Sequence, residues 1–409
     1  MCRKLNLGII GLGNRGTDLL KGILLPMTDM DVNVTAVCDE YEDRTQRAAC
    51  LVKEKCGKEP FATQDYSLVL SRSDVDAVLI SASWESHMYL AREAMKAGKI
   101  TGLEVGGAYS VEECFELVKT YEETGTPFML LENCCYGERE LMVLNMVRLG
   151  IFGDVVHCDG GYHHDLRKEI CYGEENRHYR LRNYLNRNCE NYPTHEIGPI
   201  AKVLDINNGN RFVSLTSVSS CSKGLNAYAA DRKGVGDVLA SAEFAQGDIV
   251  TTVIKCAKGQ TVTITLDTTL PRAYSRGFNV RGTKASYFED TDSVFIDKEH
   301  DAFEFNSKGL WGNASKFDEK YKHPIWKGYT AVGSHDGIDW LEFRAFISAA
   351  LDGKPMPIDV YDAAAYMCIT PLSEQSIICG SNPVAFPDFT HGNWYRKNVC
   401  DWEYNLDRI

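Results

Sequence analysis

The sequence has neither an excess of basic residues nor a long apolar run. Its 409 residues include 44 lysines and arginines against 57 acidic residues, a formal net charge of −13. A non-specific nucleic-acid binder needs a basic surface that displaces counterions from phosphates, so we expect no nucleic-acid partner. A membrane-spanning helix needs about 20 consecutive apolar residues, and because no stretch is that apolar we expect no membrane partner. These absences favour a small-molecule partner.

The cysteines lack the C-x-x-C spacing of redox and metal sites. There are 15 of them, an odd number, scattered from Cys2 to Cys400. This pattern predicts free or buried thiols in a reducing compartment and not a disulfide framework. No signal peptide precedes the first apolar segment, Leu5–Ile10. We therefore expect a cytoplasmic protein, although a leader removed ahead of Met1 would leave the same sequence.

Strand-like and helix-like segments alternate over the first 133 residues. Such alternation predicts parallel strands joined by right-handed helical crossovers. The first part of the chain is therefore predicted to be an α/β domain, residues 1–133. Its predicted strands are Leu5–Ile10, Val32–Cys38, Val75–Ser81, Thr101–Val105 and Pro127–Leu131.

The pattern changes after Asn133, where long alternating strand-like runs begin. They predict a large, open, mostly antiparallel sheet with one covered face. Residues 174–191, rich in Arg, Asn and Tyr, are predicted to form a long irregular loop. Residues 134–409 are thus predicted to be an α+β domain whose C-terminal helices close back on the first domain. The predicted strands lie at residues 155–163, 212–219, 240–244, 249–256, 261–268 and 277–281.

The segment Gly11-Leu12-Gly13-Asn14-Arg15-Gly16 matches G-x-G-x-x-G between a predicted strand and a predicted helix, the context that the motif requires. Gly11 permits a tight turn, Gly13 lets the backbone approach a pyrophosphate, and Gly16 lets helix and strand pack closely. The helix N-terminus offers amide donors to phosphates. The segment predicts a dinucleotide site, and the alternative is an ordinary glycine-rich turn.

Asp39 follows the second predicted strand, 23 residues after Gly16. A carboxylate at this place can accept hydrogen bonds from the ribose hydroxyls of the adenine nucleotide and would repel the extra phosphate of NADP. We therefore predict NAD as the cofactor. The alternative is that Asp39 only caps the following turn or helix.

Polar or aromatic residues follow three later strands of the first domain. Trp84 and His87 follow one strand, Glu104 and Val105 another, and Asn133 a third. Because the ends of parallel strands meet at one edge of the sheet, these residues are expected to add contacts to the nucleotide. The alternative is that each is a structural residue.

Two clusters in the second domain combine aromatic and acid–base side chains. One includes Tyr162, His163 and His164, and the other includes Tyr192 and His195. Histidine exchanges protons near neutral pH, and tyrosine can hydrogen-bond a sugar hydroxyl. On a strand only one of the two adjacent histidines can face the site. The alternatives are a core histidine at His195 and a metal at the His-x-Asp pattern, but without a complete ligand set no metal is expected.

Taken together, these segments resemble the Gfo/Idh/MocA oxidoreductase superfamily and, within it, glycoside hydrolase family 109, the NAD-dependent α-N-acetylgalactosaminidase group. The resemblance implies a Rossmann domain at residues 1–133, bound NAD, and self-association through the open sheet as a homo-oligomer. It extends over nearly the whole chain, through Gly11–Gly16, Trp84–His87, Glu104–Val105, Leu131–Asn133, Gly160–Arg167, Tyr192–Pro199, Pro271–Arg276, Pro371–Glu374 and Phe386–Thr390.

The resemblance also implies site residues at the positions that match. The NAD contacts would be Asn14, Arg15, Asp39, Trp84, His87, Glu104, Val105 and Asn133. The sugar contacts would be Tyr162, Arg180, Tyr192, His195 and Tyr274, with Arg182 as a nearby alternative to Arg180. His195 or Tyr162 would be the catalytic base, and Tyr192 would orient or polarise the substrate.

Three departures from the family pattern bear mainly on the substrate. Glu196 stands where the family usually has glycine, Gly106-Gly107 replaces Pro-Ala, and the loop between Tyr162 and Tyr192 is short. In addition, many sugar dehydrogenases of the superfamily have a lysine after the glutamate where this chain has Val105. Its absence disfavours plain dehydrogenase chemistry.

The implied activity is hydrolysis of a glycoside by transient oxidation. NAD would accept a hydride from C3 of the sugar, loss of the C2 proton would expel the aglycone, and water addition and return of the hydride would complete the cycle. A carbohydrate is then the expected partner. The rival interpretation is an NAD-dependent sugar or cyclitol dehydrogenase that releases NADH, and a third is a non-catalytic NAD-sensing protein.

Overall fold

The computed structural model describes residues 4–300, 307–397 and 402–408. The chain divides into two compact units, Met1–Tyr136 with Gly328–Ala364, and Gly137–Lys327 with Ala365–Ile409. The sequence predicts a single boundary after Asn133 and C-terminal helices that close back from the second domain on the first. In the structure, Gly328–Ala364 belongs to the first compact unit.

The helices of the described residues are mostly short. The first of them, α1, runs directly into one π-helical turn, Leu20–Leu24. In chain order they are α1 (Asn14–Leu19), α2 (Glu42–Cys56), α3 (Tyr66–Leu70), α4 (Trp84–Lys96), α5 (Val111–Thr124), α6 (Glu138–Arg148), α7 (Arg167–Cys171), α8 (Arg180–Asn186), α9 (Thr194–Val203), α10 (Gly224–Arg232), α11 (Asp318–Tyr321), α12 (Ile338–Asp352), α13 (Val360–Met367) and α14 (Ile369–Ile378).

The first unit contains a six-stranded sheet in the order β3-β2-β1-β4-β5-β6, and every strand pair is parallel. Strands β4 and β6 are buried along their whole length, which explains their continuous apolar sequences. The strand order reverses between β1 and β4, the position where such sheets bind ligands. The predicted α/β fold is confirmed. The strands are β1 (Leu5–Ile10), β2 (Val32–Cys38), β3 (Phe61–Thr63), β4 (Ala77–Ile80), β5 (Ile100–Glu104) and β6 (Phe128–Leu131).

The second unit contains an eight-stranded sheet in the order β13-β12-β11-β7-β10-β9-β8-β14. Among the described strands of this second sheet, only β7 and β10 pair in parallel. Burial alternates residue by residue along β9 and β10, so one face is covered and the predicted mostly antiparallel sheet is confirmed. The strands are β7 (Val155–His163), β8 (Phe212–Ser219), β9 (Ile249–Cys256), β10 (Thr261–Asp267), β11 (Asn279–Gly282), β12 (Ala285–Phe288), β13 (Ser293–Ile296) and β14 (Val384–Ala385).

Two predictions about secondary structure were wrong. Residues 240–244 form no strand, and the side-chain amide of Asn226 donates to the carbonyl of Ala242 within this segment. Residues 174–191 are not irregular throughout, since they contain α8. Its buried residues, including Arg180 and Tyr184, order a segment whose composition alone favours a loop.

The helices and the cysteines bear on two expectations from composition, the absence of a membrane-spanning segment and the free thiols. No helix among the residues that the structure describes is both long and apolar enough to cross a membrane. Every cysteine in the described ranges is a free thiol, which confirms the prediction of free thiols for that part of the chain. Cys2 and Cys400 lie outside the described residues.

Candidate active site

The glycine-rich turn joins β1 to α1 in the first unit. Gly11 has φ +96°, and a Cβ there would lie 2.5 Å from the backbone carbonyl of Ser81. A Cβ at Gly16 would lie 2.1 Å from the carbonyl oxygen of Gly11. By contrast, a Cβ at Gly13 would meet only the Nη1 atom of Arg44, at 3.7 Å. The turn is therefore closely packed at Gly11 and Gly16 and open beside Gly13. This arrangement would let a diphosphate approach the backbone at Gly13.

Asp39 supports this turn from the end of β2. Its Oδ2 accepts a hydrogen bond from the backbone N–H of Leu12 at 2.6 Å, and its Oδ1 accepts one from Tyr41 at 3.0 Å. The Nη1 atom of Arg44 lies 3.8 Å from Oδ1. An ionised carboxylate has about four acceptor positions, so Asp39 can hold the turn and still accept from a ribose. Its predicted contact with NAD stays a prediction.

Arg15, in the first turn of α1, meets two carboxylates of the same unit. Its Nε donates to Oε1 of Glu104 at 3.1 Å, and its Nη1 and Nη2 donate to Asp339 at 2.9 and 3.1 Å. The side-chain amide of Asn133 donates to Asp339 at 2.7 Å. The structure therefore brings together three predicted cofactor residues, Arg15, Glu104 and Asn133, around one acid on α12.

Asp339 could not be identified from the sequence, since it lies 206 residues from Asn133, to which it bonds. Burial raises the pKa of its carboxyl group, but hydrogen bonds from His335 and Arg15 outweigh this effect and hold the pKa well below its ordinary value. On the next turn of α12, burial and the nearby charges of Glu104 and Asp339 raise the pKa of Glu342 well above its ordinary value. These shifts favour the ionised form of Asp339 and the protonated form of Glu342.

Trp84 and His87 lie in the first turn of α4. The Nε2 atom of His87 is 3.0 Å from the carbonyl oxygen of Ala82, and burial lowers its pKa to about 4, so the ring is neutral at pH 7. Trp84 is buried against Gly106, where a Cβ would lie 2.5 Å from the indole. This contact explains why Gly106 replaces the proline of the family pattern. The neighbouring Val105 is buried, and its contact with NAD, like those of Asn14, Trp84 and His87, stays a prediction.

Aromatic rings from β7 and α9 form a cluster in the second unit. The ring centroids of Tyr162 and Tyr192 are 4.5 Å apart, and His195 lies 4.8 Å from Tyr192 and 5.6 Å from Tyr162. The hydroxyl of Tyr192 is 3.5 Å from Nε2 of His195. The three residues predicted to be catalytic therefore share one site within this unit.

The adjacent histidines at the end of β7 point in different directions. Nδ1 of His164 lies 3.1 Å from the hydroxyl of Tyr162, and its ring is 5.1 Å from Tyr274. His163 packs instead against the backbone of Gly161, where a Cβ would lie 2.1 Å from its Nε2. Burial and the charge of Arg180 lower the pKa of His164, which keeps this ring neutral. Tyr274, half exposed, borders the cluster.

Arg180, the first residue of α8, also contacts the aromatic cluster. Its Cζ lies 5.0 Å from the ring centroid of Tyr192, a cation–π distance, and its Nε lies 2.6 Å from Oε1 of Glu169. Burial raises the pKa of Glu169, but the charges of Arg180 and His178 outweigh it and lower the pKa overall. The alternative, Arg182, is exposed. Glu169 was missed because α7, which carries it, is only five residues long.

Together the cluster offers stacking faces, one fixed cation and several groups that exchange protons. Apolar ring faces stack on the C–H faces of a sugar, while hydroxyl and imidazole groups hydrogen-bond its hydroxyls. Two imidazoles lie beside two phenols, which is a set suited to general acid–base catalysis.

Two family profiles match the chain. The oxidoreductase family described as having an NAD-binding Rossmann fold matches residues 5–131. The family described as glycosyl hydrolase 109, C-terminal domain, matches residues 136–396. The two matches cover the two segments that carry the glycine-rich turn and the aromatic cluster.

Curated relatives match over almost their whole length. A glycosyl hydrolase family 109 protein of Stenotrophomonas maltophilia is 37% identical over 97% of this chain and 91% of its own. An alpha-N-acetylgalactosaminidase of Tannerella forsythia is 36% identical over 96% of this chain and 88% of its own.

Solved structures with the same fold are much more distant in sequence. Levoglucosan dehydrogenase in complex with NADH and L-sorbose superposes with a TM-score of 0.70 at 17% identity, over 95% of this chain and all of that chain. A scyllo-inositol dehydrogenase from Lactobacillus casei has a TM-score of 0.65 at 13% identity, over 94% and 99%. These likenesses establish the fold alone. The profile over residues 136–396 and relatives above 30% identity show more: the chain belongs to glycosyl hydrolase family 109 and is an enzyme with an NAD-binding Rossmann fold.

Proposed function

We propose that the protein hydrolyses an α-N-acetylgalactosaminide, or a closely related glycoside, by a redox-neutral cycle that uses NAD. The observation that carries this proposal is the cluster of Tyr162, Tyr192 and His195 with 4.5 to 5.6 Å between ring centroids. It occurs in a chain whose first unit has the NAD-binding fold. The name of the Tannerella relative supports the choice of sugar.

In the proposed site, the cluster binds the sugar by stacking and by hydrogen bonds. Tyr162 and Tyr192 are 5% and 7% exposed, so a sugar would contact their remaining accessible edges and not displace them. The guanidinium of Arg180 is fixed by Glu169 and offers donors to sugar oxygens. Tyr274, which is 50% exposed and contacts His164, would lie beside the leaving aglycone.

Bound NAD would supply reversible hydride transfer at C3 of the sugar. The residues of this chain would then move protons and hold the ring. His195 or Tyr162 would take the proton from C2, and the hydrogen bond between Tyr192 and His195 would orient the imidazole. The hydroxyl of Tyr162, bonded to neutral His164, would exchange a proton with the C3 oxygen. A pair of catalytic carboxylates, as in other glycosidases, is not needed.

A panel of nitrophenyl glycosides of both anomers tests this function. Aglycone absorbance and NADH absorbance are recorded together, with NAD present. We expect release of nitrophenol from the α-N-acetylgalactosaminide without net NADH. Accumulation of NADH with free sugars or cyclitols, and no aglycone release, would instead establish the rival dehydrogenase.

The outer face of the second sheet is proposed as a self-association surface. Val218 and Val253 on this face are 55% and 46% exposed, and the partners opposite them on the neighbouring strands are threonines. A broad, weakly polar sheet face of this kind suits a second copy of the same face. Sedimentation of the purified protein is expected to give a dimer or larger oligomer, and Val253→Lys is expected to shift it toward monomer.

A further inference from the structure

Tyr274 lies on a segment that pairs with the end of β7. The backbone N–H of Ser275 donates to the carbonyl of His163 at 3.0 Å, and the N–H of His163 donates to the carbonyl of Ser275 at 3.1 Å. One residue further along, the carbonyl of Arg276 accepts from the N–H of Gly161 at 2.5 Å. These three bonds attach the segment to the strand that contributes to the aromatic cluster.

The side chains of this segment follow the alternation of extended backbone, in which successive residues point to opposite sides. On one side, Oγ of Ser275 donates to Oδ1 of Asp290 at 2.7 Å. Alternation places Tyr274 and Arg276 on the other side, where the ring centroid of Tyr274 lies 5.1 Å from that of His164. A contact that fixes Arg276 therefore also restrains Tyr274, two residues before it.

Arg276 is held by a buried carboxylate in the first turn of α6. Its Nε donates to Oε1 of Glu140 at 2.8 Å, and its Nη2 atom contacts the same oxygen. Glu140 is 4% exposed, and its carboxylate folds back over the start of α6, where a Cβ at Gly137 would overlap it. The missing side chain of Gly137 leaves room for this position. Charge-assisted bonds of this kind are stronger than those between neutral groups.

Glu289 holds the backbone of the same segment. Its Oε1 accepts from the N–H of Arg276 at 3.3 Å, and its Oε2 accepts from the N–H of Phe278 at 2.7 Å. The segment is thus held at two places, by Glu140 through the guanidinium group and by Glu289 through the main chain.

We propose that Glu140 and Arg276 form a positioning pair, which fixes Tyr274 beside His164 at the edge of the aromatic cluster. His164 in turn lies 3.1 Å from the hydroxyl of Tyr162, so the pair acts on the sugar site through the side chains between them. This role deepens the proposed function, since its effect on turnover rests on that function, whereas its effect on the order of the backbone does not.

Hydrogen exchange of the backbone, followed by mass spectrometry with NAD present, tests the positioning directly. In Glu140→Gln the side chain keeps its shape but loses its charge, which weakens its bonds to the guanidinium group. Peptides that contain the amides of Gly161, His163 and Ser275 are expected to exchange at least about tenfold faster than in the wild type, because the bridge to β7 opens more often. Exchange at the wild-type rate would overturn the proposal.

Glu138→Gln is the matched control. Glu138 lies in the same first turn of α6 and pairs with Lys322 at 2.6 Å, but its side chain is 39% exposed. Removal of this charge should leave the exchange of the bridge unchanged, because an exposed pair contributes little. Equal acceleration in Glu138→Gln and Glu140→Gln would trace the effect to charge at the helix start and would overturn the specific pair.

Arg276→Lys provides a milder variant in case Glu140→Gln does not fold. Lysine keeps the positive charge but lacks the planar set of donors that guanidinium offers to one carboxylate. The same peptides are expected to exchange faster than in the wild type, by less than in Glu140→Gln. Wild-type exchange in Arg276→Lys, with Glu140→Gln unfolded, would also overturn the proposal.

Steady-state kinetics supplies the second readout. Because Tyr274 is proposed to contact the substrate, Glu140→Gln is expected to raise KM for the nitrophenyl glycoside by about tenfold while kcat changes by less than about threefold. A purely structural role would lower the amount of active enzyme, and with it kcat, at unchanged KM, and that result would overturn the positioning role.

The double variant Glu140→Gln/Arg276→Gln shows whether the two residues act as a unit. Its KM should be no higher than that of Glu140→Gln alone, since the second substitution removes an interaction that is already lost. A KM raised by the product of the two single effects would contradict the pair. If the wild type hydrolyses no glycoside, the proposed function fails, while the exchange measurements still decide whether the pair holds the segment.

Discussion

The Nε atom of Arg180 lies 2.6 Å from Oε1 of Glu169, and the guanidinium it belongs to lies over the ring of Tyr192. Glu169 comes from α7 and Arg180 from α8, so two short helices meet through this ion pair at the edge of the aromatic cluster. The pair fixes the one cation of the proposed sugar site in a single orientation.

Glu169→Gln tests this relationship. The amide keeps the shape of the side chain but not its charge, so Arg180 is expected to lose its orientation. We expect kcat/KM for the best glycoside to fall by about tenfold to a hundredfold, or about 1.4–2.8 kcal/mol, with NAD affinity unchanged. Steady-state kinetics with a nitrophenyl glycoside measures this change.

Glu175→Gln is the matched control, because Glu175 belongs to an exposed ion pair with Lys233 in the same unit. It should leave kcat/KM within about twofold of the wild type, as expected for an exposed pair. Equal losses in both variants would contradict a specific role for the Glu169–Arg180 pair.

Asp39→Ser is expected to weaken the preference for NAD over NADP. The substitution removes a charge that would repel a 2′-phosphate, and Arg44, 3.8 Å from Asp39, becomes available to bind it. We expect the ratio of the two dissociation constants to change by at least about tenfold, from the loss of one charge repulsion and the gain of one ion pair. Titration calorimetry with each cofactor measures the ratio.

One control variant and one further expected effect accompany this substitution. Glu40→Gln removes a charge from an exposed neighbour and should leave the ratio unchanged. Asp39→Ser should also lower the melting temperature, because Leu12 and Tyr41 lose their acceptor. A preference for NADP in the wild type would refute the role assigned to Asp39.

Asp339→Asn is expected to destabilise the first unit and weaken NAD binding. Asp339 accepts from Arg15, Asn133 and His335, and its neutral replacement leaves Arg15 without half of its compensating charge. Breaking a buried ion pair costs about 3–5 kcal/mol, and since Arg15 is 28% exposed we expect a loss of about 3 kcal/mol. Urea denaturation measures it, with Asp18→Asn at an exposed site of α1 as the control. A loss no larger than that of the control would contradict the assignment.

His195→Ala is expected to abolish turnover while NAD stays bound. A general base contributes about 10²–10⁴ to a rate, so kcat should fall at least a hundredfold if His195 removes the C2 proton. The exposed His391 provides the control variant, His391→Ala. Near-normal turnover of His195→Ala would remove this residue from the mechanism and leave Tyr162 as the base.

Much of this architecture could be predicted from the sequence because its signals are local. The glycine-rich turn needs only six consecutive residues, and Tyr192 and His195 are three residues apart at the start of one helix. The contributions of Asp339 and Glu169 could not be predicted in this way. Asp339 acts on Arg15 across 324 residues of sequence, and Glu169 belongs to a helix too short to show a periodic pattern.

The buried glutamates Glu190 and Glu196 illustrate a second kind of feature that the sequence does not reveal. In the sequence, Glu196 is only a departure from a family pattern, because a glutamate in a helix is ordinarily solvated. In the structure Glu196 packs against Gly160 of a different strand, and Ser373 and Thr370 of α14 bond the backbone of Glu190. The burial of both side chains is visible only in the tertiary structure.

The isotopic composition of the released sugar tests the central claim most directly. Hydrolysis is run in D2O with the nitrophenyl glycoside that the enzyme accepts, and the product is analysed by proton NMR. Proton removal from C2 during the cycle predicts deuterium at C2, while hydride return predicts that C3 keeps its original hydrogen. A product with its original hydrogen at C2 would contradict the redox-neutral elimination cycle and the role proposed for His195 or Tyr162.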